Sequence, residues 1–270
     1  ILMWILFAIL HFTMPDKVPF DYTVILGGIG GGVIIKPVVD AMNVMSVSTV
    51  SFLSSMSVLI MSLSTLAQNA ASGQSDIDAR AMSPIAVSSA VGGVIGKMLF
   101  NRLGSVFPDA ELVGAVQAAV LIVLAVLVLA YTLNKARIKG LKLENAWAQA
   151  LIGFCAGACW SFLGIGGGPF NLAILVFFFA MESKPAAQAS LFIIAFSQTA
   201  SLIYTLATGS VPAFLPVVLL GMAAMAVLGS VVGRRLLRRM DSAAVDKLYV
   251  FALVLIIVIC TYNFIRFSVL

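Results

Sequence analysis

Gly27-Gly28-Ile29-Gly30-Gly31-Gly32 and Gly164-Ile165-Gly166-Gly167-Gly168 decide how this chain is read. Each cluster interrupts a long apolar run, residues 22–42 in the first case and 147–181 in the second. One glycine costs a helix about 1 kcal/mol relative to alanine, so several in succession break it. Both clusters contain Gly-Ile-Gly-Gly-Gly, and the copies start 136 residues apart in a 270-residue chain, at Gly28 and Gly164. Further on, Gly92-x-x-x-Gly96-Lys97 is answered by Gly229-x-x-x-Gly233-Arg234 after 137 residues, and Asp109 and Asp246 keep that interval. Self-similarity at one long interval marks a tandem duplication.

The composition says which solvent the duplicated unit needs. Hydrophobic residues make up 61% of the chain, charged residues 10%, and the mean hydropathy is +1.11. Soluble domains carry about 45–50% and about 25%, so a water-soluble globule is excluded. Apolar segments cover residues 1–13, 22–42, 44–66, 84–101, 112–133, 147–181, 185–207, 212–232 and 245–265. A helical crossing takes about 20 residues, so the expected fold is all-α and polytopic rather than an outer-membrane barrel. The chain opens at Ile1 without a methionine, and its first segment is expected to be a clipped span.

Charge sets the orientation. The net charge of +5 sits in short links between apolar runs, where the positive-inside bias accounts for it without a nucleic-acid partner. The links 134–144 and 234–247 hold four and five Lys/Arg respectively and are expected to be cytoplasmic. An even number of crossings then separates them, which works if residues 147–181 form a hairpin turning at Gly164 to Gly168. The same scheme run backwards puts the first glycine hairpin on the opposite side. The expected organisation is a first repeat over 1–134, a basic linker over 135–146 and a second, inverted repeat over 147–270.

A broken helix at membrane depth frees backbone groups that hydrocarbon cannot satisfy, so such breaks line protein or a wet cavity. In each half a helix restarts after the glycines, with Pro169 expected at its first position, where the missing N–H costs nothing. Free N–H groups at a helix N-terminus, with the positive end of the macrodipole, make an anion cradle. Discontinuous helices meeting at the midplane of inverted repeats are the general build of secondary transporters. Close packing is the plainer reading of the Gly92/Gly96 and Gly229/Gly233 pairs.

The paired glycine motifs, with Pro37 downstream of the first and Pro169 after the second, are joined by polar helix starts, Ser48-Thr49-Val50-Ser51 and Gln188-Ala189-Ser190-Leu191. In these features the sequence resembles the TauE/SafE-type sulfite exporters, also called the TSUP family, over nearly its whole length. The resemblance implies a permease of the bacterial inner membrane for sulfite, thiosulfate, an organosulfonate or a related small anion. Lys36, four residues beyond Gly32, stands where the motif expects an apolar residue. At such depth an ionisable group could attract the anion, or its long stem could snorkel to the interface.

The expected substrate-binding set is Gly30, Gly31, Gly32, Lys36 and Ser51 from the first half, and Gly166, Gly167, Gly168, Asn171, Gln188 and Ser190 from the second. Hydroxyls and amides can replace an oxyanion's water shell without adding charge, although on membrane helices they more commonly bond one another. Asp40, Glu182 and Lys184 are expected at solvated interfaces; by elimination Asp40 or Glu182 would serve a coupling proton, if the coupling ion is a proton. His11 is the only histidine, Cys155 and Cys159 lack a second soft-ligand pair, and no cysteine pattern implies a disulfide framework. No metal site, cofactor or hydrolase constellation follows, and no phosphate-loop motif is present. The alternative reading is a non-transporting scaffold or assembly factor whose glycines only pack helices. Transport predicts that Gly31→Leu or Gly167→Leu abolishes anion flux in proteoliposomes while the protein still folds; unchanged flux points to the scaffold.

Overall fold

The computed structural model describes residues 32–42, 44–73, 78–106, 110–135 and 137–269. Among them are nine helices: α1 Gly32–Met42, α2 Val47–Ala71, α3 Ala79–Val106, α4 Ala110–Asn134, α5 Ala146–Leu163, α6 Gly168–Phe179, α7 Ser183–Ala207, α8 Pro216–Arg239 and α9 Ser242–Val269. Seven of them, all except α1 and α6, are long and apolar enough to cross a membrane, and the described residues contain no strand. Their outer surface is aliphatic, with Leu127, Leu220 and Val258 each more than half exposed. The protein is a polytopic α-helical membrane protein.

The element order has an internal rhythm. The long helices α2 to α4 are matched in order by α7 to α9, and the described part of α1 precedes the first set as the short α6 precedes the second, with α5 between them. The paired helices start 136, 136, 137 and 132 residues apart. Helices of 11 and 12 residues rise about 17 and 18 Å, roughly half of a hydrocarbon core about 30 Å thick.

Side-chain bonds at the helix ends fix the direction of each element. On one face, Lys135 after α4 pairs with Asp246 in α9 and donates to Ser183 Oγ at the start of α7. Ser183 Oγ in turn donates to Asp246 at 2.6 Å. The link 137–145 returns to the same face, where the amides of Leu141 and Leu143 donate to the carbonyls of Phe177 and Phe178 at the end of α6, each at 2.8 Å. Arg234, near the end of α8, donates to Gln68 O and Ser72 Oγ at the end of α2. This is the basic face, and both of the expected basic loops lie on it. On the opposite face Thr49 Oγ1 donates to Ala213 O, and Arg266 near the end of α9 donates to the carbonyls of Asp40 and Ala41.

Residues 146–179 are therefore a hairpin, as the sequence suggests. Helix α5 leaves the basic face, the chain turns at Gly164 to Gly167, and the shorter α6 comes back. The first described residue of α1, Gly32, lies in the interior, and the helix ends at the opposite face. Helices α1 and α6 run in opposite directions. Ile35 and Val39 of α1 pack with Phe52, Leu53 and Met222, whereas Val33 of α1 joins Trp160, Leu163, Phe170, Leu175 and Leu253 in the cluster around the turn and α6.

Glycines bring α3 and α5 into backbone contact. A Cβ at Gly92 or Gly96 would collide with the Phe154 or Ala158 carbonyl, and one at Gly153 or Gly157 with Ile85 O or Ser89 O. Packing thus explains Gly92 and Gly96. It does not explain Gly233, where a Cβ would meet open space, because Arg234 beside it reaches α2 with a long side chain instead of a backbone approach. Gly96→Ala should accordingly lower stability by ~1–3 kcal/mol. Gly233→Ala should be neutral or gain up to ~1 kcal/mol from helix propensity. Thermal unfolding of the two purified variants in detergent checks the contrast, and equal melting temperatures would refute it.

Candidate functional site

The second glycine cluster folds into a turn that only glycine fits. Gly164 caps α5 with φ +68°, and Gly166 and Gly167 follow at +70° and +73°. This left-handed region is strained for L side chains. Space is as restrictive as conformation. A Cβ at Gly164 would press on Ser51, one at Gly166 on Val58, and one at Gly167 on the Trp160 ring. Gly167 is the N-cap and Gly168 takes the first helical position, so Pro169 is one place later than expected. Its missing N–H is still one of the four that a helix start leaves without an internal partner.

Trp160 holds the two arms together. Its ring stacks on Phe170 at 5.0 Å between centroids, and its Nε1–H donates to Asn171 Oδ1 at 2.6 Å. Gln117 Nε2 on α4 donates to Phe162 O at 2.6 Å, and the Tyr249 hydroxyl on α9 donates to Pro169 O at 2.6 Å. Sequence reasoning passed over all three residues. The available signal was a polar N–H or O–H on a large side chain inside an apolar span, which needs a partner when buried.

The start of α1 meets this turn. A Cβ on Gly32 would come within 2.6 Å of Ile165 O, and Val58 packs against both Gly32 and Gly166. Ser54 Oγ donates to Gly32 O at 3.2 Å, tying α1 to α2. Gly32, the first described residue of α1, and Gly168 at the start of α6 border one cavity of about 100 Å³. Its side-chain wall is mostly aliphatic, including Val33, Val58, Met61, Leu191 and Ile194.

The remaining expected residues are distributed around this point. Gly30 and Gly31 lie outside the described residues. Ser51 is buried beside Gly164 and its hydroxyl has no hydrogen-bond partner. Asn171 is buried with Nδ2 unpartnered, and Gln188 on α7 has an unpartnered Oε1. Ser190 is buried, but its hydroxyl donates to Ala187 O of its own helix. None of Lys36, Ser51, Asn171, Gln188 or Ser190 lines the aliphatic cavity. Gly167→Leu is also not the clean test the sequence suggests, because it would break the turn's geometry together with any site.

Lys36 neither snorkels nor offers a free charge. It is 1% exposed and donates to Asp40 Oδ2 at 2.6 Å, one helical turn along α1. Asp40 is 8% exposed, which corrects the expectation of a solvated interfacial carboxylate. It is buried because α9 covers the end of α1, with Asn263 donating to Pro37 O and Arg266 capping the last carbonyls. Glu182, by contrast, is exposed at the N-cap of α7. Removing one member of a buried pair leaves the other charge uncompensated. Asp40→Asn should therefore cost ~3–5 kcal/mol, whereas the double variant Lys36→Met, Asp40→Leu should recover most of it. Thermal unfolding of both variants beside the parent decides the matter; a harmless Asp40→Asn would contradict the pairing.

A family model for sulfite exporter TauE/SafE matches residues 23–261, from ahead of the first glycine cluster into α9. No curated protein and no solved structure matches the chain. With nearly the whole chain matched, and with apolar spans laid out around the glycine motifs, the protein belongs to the sulfite exporter TauE/SafE family.

Proposed function

We propose that the protein is a secondary transporter of a small anion, with sulfite or a related sulfur oxyanion or organosulfonate as cargo. Family membership supports a sulfite or related-anion permease. The observation that carries the finer reading is the meeting of Gly32, the first described residue of α1, with the N-terminal end of α6 at one cavity. Such an end carries roughly half a positive elementary charge in unbonded N–H groups. Two of them hold an anion without full charges that would have to be stripped of water.

The opposite courses of α1 and α6 and the regular offset of the helix starts support two inverted repeats, 1–134 and 147–270, joined by the linker 135–146. Rocking of one repeat against the other would expose the site to each face in turn. The basic face, carrying residues 134–144 and 234–247, is then cytoplasmic in an inner membrane. In this conformation that face is fastened by Lys135, Asp246 and Ser183. The anion would be held by amides at Gly32 and Gly168 on the cavity and at Gly166 and Gly167 in the adjoining turn; Ser51, Asn171 and Gln188, which lie outside the cavity in this conformation, would supply side-chain groups as the repeats move.

Ser51 gives the sharpest test, because its hydroxyl bonds nothing in the protein. Ser51→Ala should leave folding stability within ~0.5 kcal/mol of the parent. A hydrogen bond to a charged partner contributes ~1.5–3 kcal/mol, so sulfite flux in proteoliposomes should fall about tenfold or more at subsaturating concentration. Full flux in Ser51→Ala would remove Ser51 from the site. Absence of sulfite, thiosulfate and sulfonate flux in the parent would remove the transport reading itself.

A further inference from the structure

A second lysine lies inside the bundle, and nothing in the glycine site uses it. Lys97 on α3 is buried at 7% exposure, nine residues before the helix ends at Val106. Among the described residues it has no carboxylate within ion-pair distance; the two ion pairs found there are Lys36–Asp40 and Lys135–Asp246. Its ammonium lies 4.9 Å from the Phe100 ring centroid and lines a narrow pocket between α2, α3 and α7. Ser55, Gln198, Ser201 and Thr205 share that pocket.

Gln198 is the second observation. It is 1% exposed, and neither its Nε2 nor its Oε1 has a hydrogen-bond partner. A buried amide left wholly unpaired is costly, as is a buried ammonium without a counter-charge. The two deficits lie side by side and have a common remedy. The ammonium, the Gln198 N–H₂ and the serine hydroxyls are donors that a negatively charged acceptor would pair, while Gln198 Oε1 is an acceptor left to a serine hydroxyl or to the ammonium itself. Thr205 contributes less, because its hydroxyl donates to Ser201 O.

The pocket is separate from the glycine turn yet close to it along the same helices. Ser197, next to Gln198, packs on Gly93 and lies 3.5 Å from Ser161 Oγ, one turn before the hairpin tip. Ser55 is one turn along α2 from Ser51, which lies against Gly164. On α7 the polar residues continue from Ser197 through Gln198, Ser201 and Thr205 toward the face opposite the basic loops, whereas on α2 Ser55 lies on the basic-face side of Ser51.

We propose that Lys97 and Gln198, with Ser55 and Ser201, form a second station for the small oxyanion, beside the glycine turn along α2 and α7. The inference rests on the anion-transport reading and extends it. In this conformation the station is closed to about the size of a water molecule, so loading requires α7 to move away from α2 and α3. Lys97 supplies charge that attracts the anion, and Gln198 supplies the directed hydrogen bond.

Calorimetric titration of sulfite and of thiosulfate into the purified protein in detergent tests the station. Lys97→Met should weaken binding about tenfold or more, and Gln198→Met, which keeps length and removes the amide, should also weaken it about tenfold. Lys97→Arg should stay within about threefold of the parent, since the charge is kept. Unchanged affinity in both Lys97→Met and Gln198→Met, while Ser51→Ala still weakens binding, would overturn the station and leave the glycine site standing. Lack of binding in the parent would overturn both. If Lys97→Met does not fold, Gln198→Met decides: weakened binding supports the station and parental binding overturns it.

Discussion

A helix that begins inside a membrane protein leaves its first amides without carbonyl partners, and hydrocarbon supplies none. Much of the arrangement around residues 160–171 can be understood as a response to that constraint. The turn needs three residues at positive φ in contact with α2 and Trp160, which only glycine allows. The arms need a clamp that does not occupy the free amides, and Trp160 provides one by bonding the Asn171 side chain and stacking on Phe170. Asn171's own amide makes the first regular bond, to Gly167 O at 2.8 Å, so the unbonded amides are those immediately before it. Pro169 removes one donor from that group.

The interior treats its two lysines differently. Lys36 has a carboxylate four residues along the same helix, so the pair is made within one turn and persists wherever α1 moves. Lys97 has no such neighbour; residues 93 and 101, at the corresponding positions, are Gly93 and Asn101. Its surroundings come from α2 and α7, and they change if those helices shift. A charge compensated within its own helix keeps its electrostatics through a conformational change, whereas one compensated across helices is sensitive to it. This distinction assigns Lys36 a constant structural role and leaves Lys97 the residue able to respond to a ligand.

The architecture was legible because it depends on short-range rules. Apolar length gave the spans, the second glycine cluster gave the break at Gly164 to Gly167, and the basic loops placed residues 134–144 and 234–247 on one face. The details that escaped depend on which helices meet. Lys97 stands four residues before the apolar pattern ends at Asn101, but α3 continues to Val106, and α2 and α7 cover the lysine. Asp40 looked interfacial for the same reason, because α9 is longer than its apolar core and Arg266 folds over the end of α1. The hydroxyls of Ser190 and Ser51 are indistinguishable in sequence. One bonds its own helix and the other lies unbonded at the hairpin tip, a difference that only the packing of α2 against Gly164 creates.

A transport site must bind its cargo and release it, which sets an upper limit on how strongly any one station may hold. Two helix ends contribute partial charges fixed to the backbone; they need no counter-ion when the site is empty and little reorganisation when it fills. A full ammonium attracts more strongly but must find some other partner once the anion leaves. Placing that ammonium beside the aromatic ring of Phe100 and the amide of Gln198, away from the turn, eases the problem. The cation–π contact stabilises the empty state by ~0.5–1 kcal/mol, or about 2 when desolvated. That is less than a direct ion pair in the same place would hold, and so weak enough to yield to an arriving anion. On the proposed reading, attraction at Lys97 and reversible holding at the glycine turn are divided between two neighbouring places, and neither has to do both.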